Sequence, residues 1–469
     1  MHWIDLSIFA VYLIFMLGIG FYFMRKNNSA DDYFVGGRKM NAFHIGLSVV
    51  ATDVGGGFSI GLGGLGFVMG LSGSWLLFTG LIGAWLSAVL LIPKVSRLAE
   101  RHKFLTFPQF LNNLYDGKVA LIAGIISAIG YLGFTSSQLL AGAKLATATF
   151  PNISMQIALI IMGAIAVGYT AIGGIKAVIY TDTFQWILLM TGLVFIALPV
   201  CYFGIGGYET LKETLPASFF SLTSITWQQI VNWFITIVPI WFVGMTLYQR
   251  IYAAGNKKTA QRAWFVAGLF EYPIMAFTGV LLGMFAKVAF ENGIIGGNTV
   301  GTFDPEMGLP VLLRTILPVG LTGIILSAYF SAIMSTADSC LMAASGNLIT
   351  DILKQHNAGR IMLLSQIITL LLGATALLIS WKVPNVLELM LHSYAFMVSG
   401  LLVPVLAGIF LRKRSSTGAF WSMIAGGGMT LSLIISDIEL PLGLDANAFG
   451  ISLSAVVYLL FHFLGKRRF

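Results

Sequence analysis

Residues 51–58 read Ala51-Thr52-Asp53-Val54-Gly55-Gly56-Gly57-Phe58, and glycine recurs at Gly61, Gly63, Gly64 and Gly66. The stretch sits inside an apolar run at 42–69, long enough to cross a bilayer. Each glycine in a helix interior costs about 1 kcal/mol relative to alanine, so three in succession predict a broken helix at mid-membrane. Hydrocarbon holds no water for freed backbone groups, so a break is tolerated only inside protein or along a wet cavity. Asp53, an acid at that point, is costly in lipid and marks a functional position. Gly61 to Gly66 also matches the G-x-G-x-x-G pattern of dinucleotide sites. No strand precedes it and it lies within an apolar span, so that reading fails.

The rest of the chain agrees with a membrane setting. Of 469 residues, 57% are hydrophobic and 10% charged, against roughly 25% charged in soluble domains. That composition excludes a soluble enzyme, a nucleic-acid-binding module and a disordered chain. Spans are expected near 4–24, 42–69, 74–93, 118–149, 153–172, 175–203, 226–252, 262–290, 309–352, 361–381, 385–411, 417–436 and 447–465. The fold expected is therefore an all-α polytopic membrane protein of thirteen helices. With the N-terminus outside, 22 of the 27 basic residues fall in inside loops or at the C-terminus, Arg250 among them. Lys212 and Lys382 fall outside, a bias that follows the positive-inside rule. The net charge of +8 thus reports membrane orientation, with the C-terminus cytoplasmic, and not a nucleic-acid partner. Cys201 and Cys340 lie in apolar runs without metal-site spacing. No polar stretch is long enough for a soluble nucleotide-binding domain, so an ATP-driven mechanism is not expected.

A second break is expected in the seventh span, at Val238-Pro239-Ile240-Trp241, because proline removes a helical hydrogen bond. Interrupted spans in corresponding positions of two halves point to a transporter binding site. Other acids lie in the membrane at Asp182 and at Asp338, the latter within Ser335-Thr336-Ala337-Asp338-Ser339. A lone serine in a membrane helix bonds its own backbone; a cluster of hydroxyls and acids instead supplies hard oxygen ligands for an alkali cation or a proton. Glu271 and Glu388 read as buried packing partners, and Lys144 and Arg314 as residues that reach toward the interface.

Six segments resemble the sodium/solute symporter family, which includes bacterial proline and sugar symporters and the choline transporter. They are Asp32 to Arg38, Ala51 to Gly57, Ala141 to Leu145, Gly173 to Gln185, Tyr248-Gln249-Arg250 with Ala253-Ala254, and Ser331 to Ser339, in family order. The resemblance implies the leucine-transporter-type inverted five-helix repeat in a single transport domain over 1–469. Residues 4–24 form an extra helix, 42–203 the first repeat, 226–411 the second, and 417–465 two C-terminal helices. It further implies a shared sodium site of the Ala51, Val54 and Ala332 carbonyls with the Ser335 and Thr336 hydroxyls. A second sodium is implied nearer the cytoplasm, at Asp182, Asp338 and Ser339. The solute-cavity candidates are Asp53, Gly55, Gly56, Gly57, Phe58 and Trp241, with Lys144 approaching from the fourth span. At 53 and 57 the chain departs from the proline and choline transporters, so neither solute transfers directly.

The function expected is sodium-coupled import of a small polar organic solute by alternating access, without an organic cofactor and without enzymatic activity. The alternatives are proton coupling on the same fold, since carboxylates serve both ions, and a transport-dead ligand sensor. An intramembrane enzyme using Asp182 and Asp338 as an acid pair is disfavoured by the hydroxyls around them. The partners expected are the solute and the lipid bilayer, with the monomer as functional unit. Short loops and few cysteines fit a bacterial inner membrane.

Overall fold

The computed structural model describes residues 2–24, 30–53, 55–296, 303–353, 358–436 and 438–465. Among these, every named element is helical. We label the principal helices α1 (Trp3–Met24), α2 (Ala42–Asp53), α3 (Gly55–Met69), α4 (Trp75–Leu90), α5 (Gly117–Thr149) and α6 (Met155–Gly192). They continue with α7 (Trp227–Val243), α8 (Met245–Ala253), α9 (Lys257–Leu269), α10 (Ala276–Glu291) and α11 (Pro305–Ile316). The series closes with α12 (Leu321–Gly346), α13 (Ala358–Ser380), α14 (Val386–Phe410), α15 (Ser416–Ser436) and α16 (Ala446–Gly465).

Among the described residues, eight helices are long and apolar enough to cross a membrane, or nine if the bent pair α7 and α8 is one span. Shorter apolar helices lie at Trp3–Met16, Ala42–Asp53, Met155–Ala166 and Gln366–Ser380. Every expected span thus falls on helix, though a count of thirteen full-length crossings is not what the helices by themselves establish. The spans expected at 153–172 and 175–203 differ most. Helix α6 runs on from Met155 to Gly192 across Gly173-Gly174, since a glycine pair weakens a helix without a proline's obligatory loss of a hydrogen bond.

Helix α12 is the centre of the bundle. In Leu321–Ile352, 94% of the apolar window is buried, against 22% in Ala446–Leu464 at the periphery. It packs against α5 and α6, while α5 also carries α14, α3 packs on α10, and α2 packs on α9.

The first break is where it was expected. Helix α2 stops at Asp53 and α3 restarts at Gly55, whose φ of +38° lies in a region that glycine enters without steric cost. The second break lies elsewhere. Pro239 stays inside α7, and the chain bends by 42° between α7 and α8 at Gly244. Proline frees the carbonyl four residues before it, here that of Ile235. The Asn447 side-chain amide donates to this oxygen at 3.3 Å and to Thr236 Oγ1 at 2.7 Å. With the carbonyl satisfied from α16, the helix survives its proline.

Asn447→Leu should therefore destabilise the protein by about 1–3 kcal/mol, the cost of an orphaned buried polar group. The loss should shrink when Pro239→Ala restores the helical donor. Thermal unfolding of the two single variants and the double in detergent checks this; equal losses in both backgrounds would rule it out.

Candidate ion and solute site

Each break leaves backbone groups that regular helix would satisfy. Helix α5 caps both restarts. Gln138 Oε1 accepts from Gly57 N at 3.1 Å, and the Tyr131 hydroxyl accepts from Thr246 N at 3.0 Å. Residues 131 and 138 are two turns apart and share one face of α5. A side chain at Gly57 would collide with Gln138, which accounts for glycine there. On the carbonyl side, the Tyr248 hydroxyl donates to Phe242 O at 2.9 Å, and the Thr336 hydroxyl donates to Ala51 O at 3.0 Å.

Thr336 is the meeting point of the first break with α12. Its Oγ1 also lies 3.2 Å from Ala332 O, and Gly55 packs so closely that a side chain there would strike the same oxygen. The structure thus brings together Ala51, Ala332 and Thr336 of the expected sodium set. Val54 lies outside the described residues. Ser335 turns elsewhere, with its hydroxyl donating to Asp182.

Asp182 belongs to a second polar cluster, organised by Arg250. The guanidinium Nη2 lies 3.2 Å from Asp182 Oδ2, 2.9 Å from Ser339 Oγ and 2.7 Å from Thr52 Oγ1. Its Nε donates to Ser48 Oγ at 3.1 Å, and Ser48 in turn donates to Asp182. Both members of the ion pair are fully buried. One sequence reading is corrected here. Arg250 is not a residue of an inside loop: it lies in α8, which is buried along its whole length beyond the bend at Gly244. Asp182 and Ser339, expected around a second sodium, are engaged by a guanidinium; Asp338 is buried on the same helix. Only its appearance beside Tyr248 in a family-like segment singled Arg250 out, since a basic residue near a span end reads as an orientation signal.

Lys144 is paired: its ammonium lies 2.6 Å from Glu306 Oε2 and 2.7 Å from Asp304 Oδ2. Glu306 also accepts from Val386 N at 2.9 Å and Leu387 N at 3.0 Å, holding the first turn of α14.

Asp53 ends α2, with the Tyr394 hydroxyl of α14 donating to it at 3.3 Å. Glu271, in the π-helical segment Phe270–Met275 between α9 and α10, is the hydrogen-bonding neighbour of the Asp53 carboxyl. Trp241 is fully buried, with its ring edge-on to Trp264 at 6.3 Å between centroids. Of Gly56 and Phe58 only the helical backbone is described.

The sodium:solute symporter family model matches residues 33–426, and the chain belongs to that family. It is 27% identical to the sodium/pantothenate symporter of Escherichia coli, over 91% of this chain and 90% of that protein. It is 26% identical to the high-affinity proline transporter PutP of Bacillus subtilis, over 89% of each. With sodium/glucose cotransporter 1 of Oryctolagus cuniculus it shares 25%, over 94% of this chain and 73% of that one. The fold is that of a Na+-coupled sialic acid symporter solved substrate-bound and outward-open (TM-score 0.82, 22% identity, 98% of both chains). Mhp1, a nucleobase-cation-symport-1 transporter, is more distant (TM-score 0.61, 14% identity, 94% of this chain and 96% of that one).

The buried Arg250–Asp182 pair makes a directional prediction. Removing one partner strands the other charge and costs about 3–5 kcal/mol, whereas replacing both by neutral groups costs far less. Arg250→Met should be the less stable variant and Arg250→Met with Asp182→Asn should recover most of the loss in thermal unfolding. A double variant no more stable than the single would contradict the pairing.

Proposed function

We propose that the protein is a sodium-coupled secondary symporter that imports a small polar organic solute by alternating access. The reading takes the chain as one transport domain of thirteen membrane helices, N-terminus outside and C-terminus cytoplasmic. The segments 42–203 and 226–411 are its inverted repeats, and a bacterial cytoplasmic membrane is its setting. The observation that carries it is the Thr336 hydroxyl, held between the Ala51 carbonyl freed at the break and the Ala332 carbonyl. Two carbonyls and a hydroxyl on facing helices form a hard-oxygen set suited to an alkali ion.

We assign the transported sodium to the Ala51, Val54 and Ala332 carbonyls and the Thr336 hydroxyl, with Ser335 close by on Asp182. A second sodium at Asp182, Asp338 and Ser339 would require Arg250 to give up its contacts, so one sodium is the simpler stoichiometry. Sodium at this point ties α2 and α3 to α12, which stabilises one arrangement of the two bundles and completes the solute pocket beside it. Rocking of one bundle against the other then carries both ligands across. The energy suffices. One charge falling through 100 mV releases about 2.3 kcal/mol, and a tenfold sodium gradient adds about 1.4 kcal/mol. Together they support an accumulation of roughly several hundredfold per sodium.

Sodium should stabilise the purified protein against thermal unfolding where potassium does not. Thr336→Ala should raise the sodium concentration for half-maximal stabilisation by about tenfold or more. Ser335→Ala should raise it less, since that hydroxyl serves Asp182. An unchanged sodium response in Thr336→Ala would refute the site.

A further inference from the structure

The family relatives carry solutes as different as pantothenate, proline and glucose, so membership leaves the solute open. The interior charges of this chain narrow it. Arg250 is taken by Asp182, and Lys144 by Glu306 and Asp304. Among the described residues, no lysine, arginine or histidine forms an ion pair with Asp53 or Glu271. Glu271 is fully buried; among the described residues no N–H or hydroxyl donor reaches its oxygens, and its hydrogen-bonding neighbour is the Asp53 carboxyl. Two carboxyls facing each other in a dry interior keep their charges only if a cation joins them; otherwise they share a proton.

The surroundings favour the cation. Gly80 and Gly83, one turn apart on α4, leave room for the Glu271 carboxyl and the Trp241 indole respectively, since a side chain at either would collide with them. Indole faces attract cations, and more strongly where water is excluded. Trp233, Ile237 and Trp241 repeat every four residues along α7 and form one row. Trp233, at one end, lines a cavity of about 330 Å³ together with Gln229, Asn385, Glu388, His392 and Asp445. Among the described residues, two acids and no lysine or arginine line this cavity. Its wall also includes Leu391 and Ala395, the neighbours on α14 of Tyr394, whose hydroxyl reaches Asp53. The acidic cavity is thus linked to Trp241 along α7 and to Asp53 along α14.

We infer that the solute carries a positively charged nitrogen, received between Asp53 and Glu271 against the indoles of Trp241 and Trp264, with Glu388 and Asp445 drawing it into the vestibule. The inference rests on the symporter reading. It names an ammonium, substituted ammonium or guanidinium group, whether on a simple amine or on a zwitterion. Glu271, with no cation of the protein's own, is its main determinant of charge preference.

The test is a thermal-shift titration of the full-length protein in sodium and in potassium. The probes are ethanolamine, choline, putrescine, arginine and proline, set against glucose, pantothenate and 3,3-dimethyl-1-butanol, the uncharged carbon analogue of choline. At least one probe bearing a cationic nitrogen should stabilise the protein in sodium and not in potassium, with the uncharged and anionic probes inactive. Glu271→Gln should weaken that probe by about tenfold or more, as expected for loss of a charged contact, and Glu271→Asp should retain the preference for cationic probes. A sodium-responsive wild type that binds only uncharged or anionic probes, or no cationic probe at all, overturns the inference and leaves the symporter reading standing. A Glu271→Gln variant that still responds to sodium and binds the cationic probe unchanged overturns it too. A wild type with no sodium response brings down the symporter reading itself.

Discussion

Everything at the centre of this molecule follows from the need to satisfy backbone groups that two interrupted helices release inside a bilayer. Water cannot do it there, so the protein must. Helix α5 meets the donors of both restarts from a single face, through Tyr131 and Gln138. Helix α12 meets the freed carbonyl of Ala51 through Thr336. The same contact that repairs the first break gathers the oxygens proposed to hold sodium, so ion binding and helix packing act at one point. An ion there competes with a hydrogen bond between two helices, a physical basis for coupling occupancy to bundle arrangement.

Charge is the second constraint. A buried ion pair is expensive to desolvate and tolerable only when further hydrogen bonds complete it. Arg250 meets that condition by collecting Asp182 with Ser48, Thr52 and Ser339, and so ties α2, α6, α8 and α12 together. Lys144 and Glu306 do the same on another face, where Glu306 also holds the first turn of α14. Asp53 and Glu271 stand apart from both arrangements. The proposed solute pocket rests on this contrast between neutralised structural charges and a carboxyl pair without a cation. Family membership accounts for the scaffold and the ion, while solute identity varies among relatives of similar distance.

Much of this was legible in the residues. The low charge and long apolar runs identify a polytopic membrane protein because a bilayer core admits little else. Three glycines at 55–57 locate a break because helix stability there is local. The cluster at 335–339 points to an oxygen site because lipid penalises such groups unless they are used. Other features were misread for an equally physical reason. Pro239 looked like the second break, but Asn447, 208 positions away in sequence, satisfies the carbonyl that proline frees, and the bend falls at Gly244. Arg250 looked like an orientation signal because its burial depends on that bend. The pairing of Lys144 with Glu306 was simply not visible, because Glu306 lies far along the chain.

The sequence by itself determined the class, the membrane setting, the first break and the residue types of the proposed ion site, since composition, helix propensity and solvation act over a few neighbouring residues. Only the tertiary structure decided which polar group faces which. It sent Ser335 to Asp182 and Thr336 to Ala51, gave Arg250 and Lys144 their partners, and set Glu271 opposite Asp53. Those outcomes depend on contacts between helices distant in sequence, where a rotation of one residue, about 100°, turns a ligand into a packing contact.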